Sequence, residues 1–309
     1  MSDWTDADWR AEADAWITEQ LDRRGRESTG AFDQIHDRPW STVIRVTTVD
    51  GNVFFKAVSP PLRHEAALTE FLGSRRPDCV PPPLAVDPAR GWMLIEDGGQ
   101  TLRELIETER DLSRWRDVLP LYAGVQIDLM GDVPALLALG VPDFRLTLLP
   151  SELEALLDEI VELPDEERRR LHAALSWVRE ACEMLGSAGL PETIQHDDLH
   201  DAQVFVRNDR YLLLDWGDAC ISHPFFTLAV TLDGVIAWGV DDVEGSEPTA
   251  SYRDAYLDPF RELTTGELVD LSQAARRLGW VCRALNSRRS QPSDESTRLR
   301  LRMFLDGRV

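Results

Sequence analysis

Among 309 residues the chain has a single lysine, Lys56; every other basic residue is an arginine. Its 33 basic residues face 55 acidic ones, giving a formal charge of −22. A surface so short of positive charge argues against nucleic-acid binding, because phosphate backbones are held by basic patches. It favours a cationic partner, drawn in by the long-range field. Cysteine is sparse as well: Cys79, Cys182, Cys220 and Cys282 are widely scattered and form no C-x-x-C pair. That speaks against a disulfide framework or zinc ribbon and suits a reducing cytoplasm. There is no run of some 18 apolar residues, so no membrane span is expected. The acidic N-terminus has no apolar core segment, so no signal peptide is expected either. G-x-G-x-x-G is missing, which removes the commonest signature of a phosphate-cradling turn. Internal repeats and low-complexity stretches are also absent.

What is present suits a folded protein of two lobes. Hydrophobic residues make up 43% and charged residues 28% of the chain, an ordinary globular mix at a length generous for one core. Trp9, Ala13, Trp16, Ile17 and Leu21 recur at helical spacing over 5–22, with Thr5 as a candidate N-cap. Two apolar runs, 43–48 and 53–58, flank Val49-Asp50-Gly51-Asn52 and predict a hairpin. Lys56 lies inside the second run. Residues 63–72 read as a helix closed by Gly73. Trp92 to Glu96 reads as a buried strand ending in a Gly98-Gly99 turn. The remainder is predominantly helical, with segments at 102–109, 112–130, 251–260, 266–286 and 295–305. Ser151-Glu152-Leu153-Glu154 reads as a capping box. Pro164-Asp165 opens a helix with Leu171, Ala174, Leu175, Val178, Cys182 and Leu185 on one stripe. Residues 223–240 are apolar enough for a buried helix.

The stretch with the most chemistry runs from Gln195 to Asp218. It opens with His196, Asp197, Asp198, His200 and Asp201, and two short apolar runs follow around Arg207-Asn208-Asp209-Arg210, as in a hairpin. A three-residue loop at 208–210 would pair residue 203 with 215, and a two-residue loop would shift that by one. Oxygen side chains distant in sequence would then converge, as a hard cation such as Mg²⁺ requires. His196-x-Asp198, then Gln203, then Asp215-Trp216-Gly217 matches the kinase order H-x-D-x-x-x-x-N followed by D-aromatic-G. The stretch resembles the aminoglycoside phosphotransferase and choline kinase family of small-molecule kinases. Gln203 departs from that pattern by carrying the amide on a longer arm than the usual Asn.

The resemblance implies an α+β, bilobal protein-kinase-like fold, with a small antiparallel-sheet lobe over 1–97 and a larger, mainly helical lobe over 98–309. It implies ATP (or GTP) and Mg²⁺ as cofactors and a small hydroxyl compound as acceptor, with no nucleic-acid or membrane partner. Asp198 would be the catalytic carboxylate, and Gln203 and Asp215 the metal ligands. Lys56 would meet the phosphates, held by Glu65, with Glu70 as its rival. Ser41 and Thr42 would lie in the phosphate-covering turn, and Glu96 would end the strand leading to the adenine-binding hinge. His196 would support the loop. Asp197, Asp201 and Asp218 would either attract a cationic acceptor, such as an aminoglycoside or amino sugar, or be solvated. Trp238, Tyr256, Trp280 and Arg283 are candidates to line the acceptor pocket, although packing explains the aromatics equally well. Two other readings fit parts of the pattern. A non-catalytic nucleotide-binding relative would account for Gln203, and a metal-dependent hydrolase would use His196-x-x-x-His200; the hydrolase leaves the lone lysine unexplained.

Overall fold

The computed structural model describes residues 4–160, 162–264, 266–290 and 293–306. The chain divides into two units: residues 1–100 with 205–217, and residues 101–204 with 218–309. The first unit thus extends a few residues beyond the expected boundary at 97 and takes in a hairpin from far downstream.

In the first unit, five strands form an antiparallel sheet: β1 (Ser28–Arg38), β2 (Ser41–Thr48), β3 (Gly51–Val58), β4 (Ala85–Asp87) and β5 (Trp92–Glu96), in the order β1-β2-β3-β5-β4. The β2–β3 turn is tight: Thr48 pairs with Gly51, whose φ of 118° suits glycine. Alternation along β3 sends Val53, Phe55 and Ala57 into the core and Lys56 to the opposite face. Helix α1 (Ala7–Asp22) closes that core, setting Trp16 5.6 Å from Phe55 and 5.8 Å from Trp92 between ring centroids. Its N-cap is Asp6 rather than Thr5: the Asp6 carboxylate accepts from the Trp9 N–H at 2.8 Å. Helix α2 (His64–Arg75) runs through Gly73 instead of stopping there. Gly73 is a packing residue, since a Cβ would lie 2.7 Å from Pro82 Cα.

The second unit is mainly helical, with a short antiparallel pair of strands, Thr193–Gln195 and Cys220–Ser222. Leu102–Glu109 opens with a true capping box between Thr101 and Glu104. The expected box at 151–154 falls inside the helix Leu149–Glu159, where the Ser151 hydroxyl donates to Leu148 O instead. Asp165–Ser187 buries Leu171, Leu175, Val178, Cys182 and Leu185, as its spacing predicts. The long helix Leu268–Ser290 supplies much of the interior. Residues 224–238 depart from expectation: a 3₁₀ turn (Pro224–Thr227), a π-helix (Ala229–Val235) and a second 3₁₀ turn (Ile236–Trp238) replace a regular helix. Apolar content reported the burial of this segment but carried no information on its hydrogen-bond spacing. Among the described residues, no helix is long and apolar enough to cross a membrane.

Candidate active site

The first unit places Lys56 in the middle strand of three, paired with Val43 on one side and Met93 on the other. The lysine is only 9% exposed. Its Nζ donates to Glu65 Oε1 at 2.6 Å and to Asp215 Oδ1 at 2.5 Å. Burial works against the charge, but Asp215 and Glu65 outweigh it and the pKa is raised, so the ammonium stays charged. Glu65, in the first turn of α2, has a side chain just 1% exposed, whereas that of Asp215 is 45% exposed. The sequence therefore named the right helix, and of Glu65 and Glu70 it is Glu65 that reaches the lysine.

Asp215 follows a hairpin, Val204–Arg207 and Arg210–Leu213, whose loop is the two residues Asn208 and Asp209. Both have positive φ (52° and 58°), the pattern of a type I′ turn. Asp215 itself has φ 65°, a left-handed conformation that Asp tolerates at a cost of about 1 kcal/mol or more. Behind it, a Cβ on Gly217 would lie 3.1 Å from Glu65 Oε2.

Of the three other expected nucleotide contacts, Thr42 and Glu96 are engaged by partners within the first unit and Ser41 is buried in the sheet. Ser41 and Thr42 are in β2 rather than the turn, which is Pro39-Trp40. Thr42 Oγ1 donates to His36 O at 2.8 Å and accepts from Gln34 Nε2 at 2.9 Å, so this hydroxyl is engaged within the sheet. The Glu96 carboxylate is paired with Arg26. Just beyond it, Gly99 (φ 88°) passes so close to Val206 O that a Cβ would lie 2.3 Å away.

The second unit holds Asp198 and Gln203. Arg283 Nη2 lies 2.8 Å from Asp198 Oδ1, its Nη1 3.0 Å from Asp218 Oδ2 and 3.7 Å from Asp197 Oδ2. Burial opposes the Arg283 charge, but Asp198, Asp218 and Asp197 together outweigh it and raise its pKa. Asn286 Nδ2 donates to Asp197 Oδ2 and to Asp218 O, both at 2.8 Å. Asp197, at φ 64° and fully buried, is pushed up to about 7 by burial, which the Arg283 charge and the Asn286 hydrogen bond only partly offset. Asp201 accepts from Arg103 Nη2 at 2.7 Å. Burial would raise its pKa, but His200 and Arg103 hold it low. None of these three acids is simply solvated. His196 is buried, and its backbone N–H donates to the Tyr122 hydroxyl at 2.8 Å. His200 Nδ1 accepts from the Ala202 N–H at 3.1 Å, and its Nε2 lies 3.4 Å from Gln203 Nε2.

The profile of the phosphotransferase enzyme family matches residues 35–266. The chain belongs to that family. No curated protein sequence matches it significantly. Among solved structures, this phosphotransferase is similar to a choline/ethanolamine kinase family protein from Mesorhizobium loti, with 18% identity, coverage of 91% of this chain and 86% of that one, and a TM-score of 0.58. It is similar to macrolide 2'-phosphotransferase type I at 15% identity, covering 94% and 96% of the two chains with a TM-score of 0.60. A third similar structure is the GDP complex of aminoglycoside 2'-phosphotransferase-IIIa, at 13% identity, 96% and 98% coverage and a TM-score of 0.61. The fold of this phosphotransferase is therefore protein-kinase-like, as its mixed α and β elements also indicate.

Lys56, Glu65 and Asp215 meet at one point within the first unit, whereas sequence reasoning pairs only Lys56 with Glu65 and groups Asp215 with Asp198 and Gln203 in the larger lobe. It missed Asn286 and proposed Arg283 only as a pocket lining. A signal was available: Arg283 and Asn286 are polar residues three apart in an otherwise apolar stretch, Gly279 to Asn286, on a helix that is buried there. The aromatics proposed beside Arg283 divide differently. Tyr256 is fully buried with its hydroxyl 2.6 Å from Gln126 Oε1, and Trp280 is 5% exposed. Trp238 Nε1 donates to Asp233 O at 3.1 Å.

Proposed function

We propose that the protein moves the γ-phosphate of ATP (or GTP) to a hydroxyl of a small cationic molecule such as an aminoglycoside or amino sugar. The observation that carries this reading is the single lysine, buried on the central strand and bonded to both Glu65 and Asp215. A compact ammonium there is a point charge for phosphate oxygens, a role the planar arginine fork fills poorly. Asp198 orients the acceptor hydroxyl and takes its proton. Lys56 braces the phosphates and Glu65 holds Lys56. The residue types suit a hard cation: Asp215 carries a carboxylate and Gln203 an amide oxygen, and among the described residues Asp218 Oδ1 is a buried carboxylate oxygen without a hydrogen-bond partner. Asp215 and Gln203 would hold Mg²⁺, which when bound neutralises phosphate charge. The segment following Glu96 meets the nucleotide base.

The charge of −22 supports a cationic acceptor. Asp197, Asp198, Asp201 and Asp218 already face arginines, so this attraction comes from the whole surface rather than from those four acids. Cys79, Cys182, Cys220 and Cys282 are free thiols, in keeping with a cytoplasmic reaction.

The test is slow, acceptor-free hydrolysis of MgATP or MgGTP, which Asp198→Ala should reduce by about 100-fold or more. A screen of amines, sugars and antibiotics with coupled ADP detection then identifies the acceptor. Nucleotide binding with no turnover under either condition would instead favour the non-catalytic reading that Gln203 suggests.

A further inference from the structure

We propose that Arg283 is a positioning residue for phosphate transfer, gripping one oxygen of Asp198 so that the other is presented to the acceptor hydroxyl. This inference rests on the assignment of Asp198 just given and adds a residue to it. Arg283 comes from the long helix Leu268–Ser290, 85 residues after Asp198 (283 − 198), and its side chain is 7% exposed. Its two terminal nitrogens are divided between two carboxylates: Nη2 to Asp198 Oδ1 at 2.8 Å, and Nη1 to Asp218 Oδ2 at 3.0 Å. A planar guanidinium engaged at both nitrogens has little freedom to rotate, so it fixes the place of Asp198 Oδ1.

The neighbouring groups hold the arginine in turn. Asn286, three residues further along the same helix, bonds Asp197 Oδ2 and Asp218 O and so ties the helix to both flanking acids. Asp198 is the most accessible of the three, its side chain 26% exposed against 16% for Asp218 and 1% for Asp197. Asp198 Oδ2 lies 3.9 Å from His200 Nε2, beyond hydrogen-bond range. One oxygen is therefore anchored, and a different one is placed for a hydroxyl. Where the transition state is loose the carboxylate acts mainly by orienting its partner, so holding Asp198 in place is the contribution that counts.

Arg283→Lys keeps the charge but cannot span both carboxylates. With MgATP or MgGTP and no acceptor, it should lower kcat about 10- to 100-fold while the nucleotide KM stays within about threefold. Arg283→Ala should fall at least as far and recover several-fold in millimolar guanidinium chloride. Because Arg283 acts through Asp198, the double variant Asp198→Asn/Arg283→Lys should be no slower than Asp198→Asn alone. Unchanged kcat in a folded Arg283→Lys, or a further loss added to that of Asp198→Asn, would overturn the assignment. Failure of both Arg283 variants to fold would make the residue structural and overturn it equally. A wild-type protein that neither binds nor hydrolyses the nucleotides would sink the phosphate-transfer reading itself, a result distinguishable from an active wild type indifferent to Arg283.

Discussion

Removing the ammonium of Lys56 while keeping its apolar stem, as in Lys56→Met, isolates what the buried pair does for the fold. Nζ bonds Glu65 at 2.6 Å and Asp215 at 2.5 Å, but the two carboxylates differ in setting. Asp215 is nearly half exposed and can be rescreened by water, so its loss costs little. Glu65, with 1% of its side chain exposed, has no such recourse. A carboxylate that loses its ammonium in that setting lessens the penalty of a buried charge by taking up a proton. Relative to a glutamate titrating near its ordinary value of about 4.3, uptake at pH 7 costs about 3 to 4 kcal/mol, and at pH 5 about 1 kcal/mol. The variant should thus be destabilised several times more at pH 7 than at pH 5, measured by urea unfolding with a probe in the first unit. Adding Glu65→Gln, which removes the buried negative charge, should recover most of the loss at pH 7. A loss of equal size at both pH values, or no recovery in the double variant, would refute the account of Glu65 as the dominant cost.

Asp215→Asn should leave the fold intact and abolish Mg²⁺-dependent nucleotide binding; calorimetry showing unchanged dependence on Mg²⁺ would contradict its role as a ligand. Asp197, titrating at about 7, keeps in the folded state a proton that the unfolded chain loses near pH 4. Its contribution to stability therefore falls as pH rises from about 4 to about 7 and is level above, by as much as about 4 kcal/mol. Asp197→Asn is free of that loss, so its Tm should gain on the wild type between pH 5 and pH 8; parallel Tm curves would count against it. Gly99→Ala combines a φ of 88° with a Cβ only 2.3 Å from Val206 O and should cost about 2 to 4 kcal/mol by denaturant titration. A cost below about 1 kcal/mol would mean that the strand backbone yields easily there.

Much of the first unit was legible because its cues are local. Alternating apolar runs gave β2 and β3, and a lone lysine on the strand announced itself against 32 arginines (33 basic residues less Lys56). Thr5, Gly73 and the 151–154 box failed for one reason: a cap or stop residue works only if the backbone geometry around it lets the side chain be used. Asp6 was better placed than Thr5, and contact with Pro82 gives Gly73 a packing role. Ser41, Thr42 and Glu96 were read by their nearness to a turn or strand end. Partners brought in by folding, Gln34, His36 and Arg26, engage two of the three side chains.

The order of residue types along the chain was enough to single out Asp198, Gln203 and Asp215 as candidates and to place the lysine on a strand and its glutamate on the next helix, since each cue is a spacing of a few residues. Only the tertiary structure decided that the acids beside Asp198 are matched by Arg283 and Asn286, which lie 85 and 88 residues beyond it. Pairings of that separation depend on how whole helices pack, and no local periodicity records which polar side chain will face which buried charge.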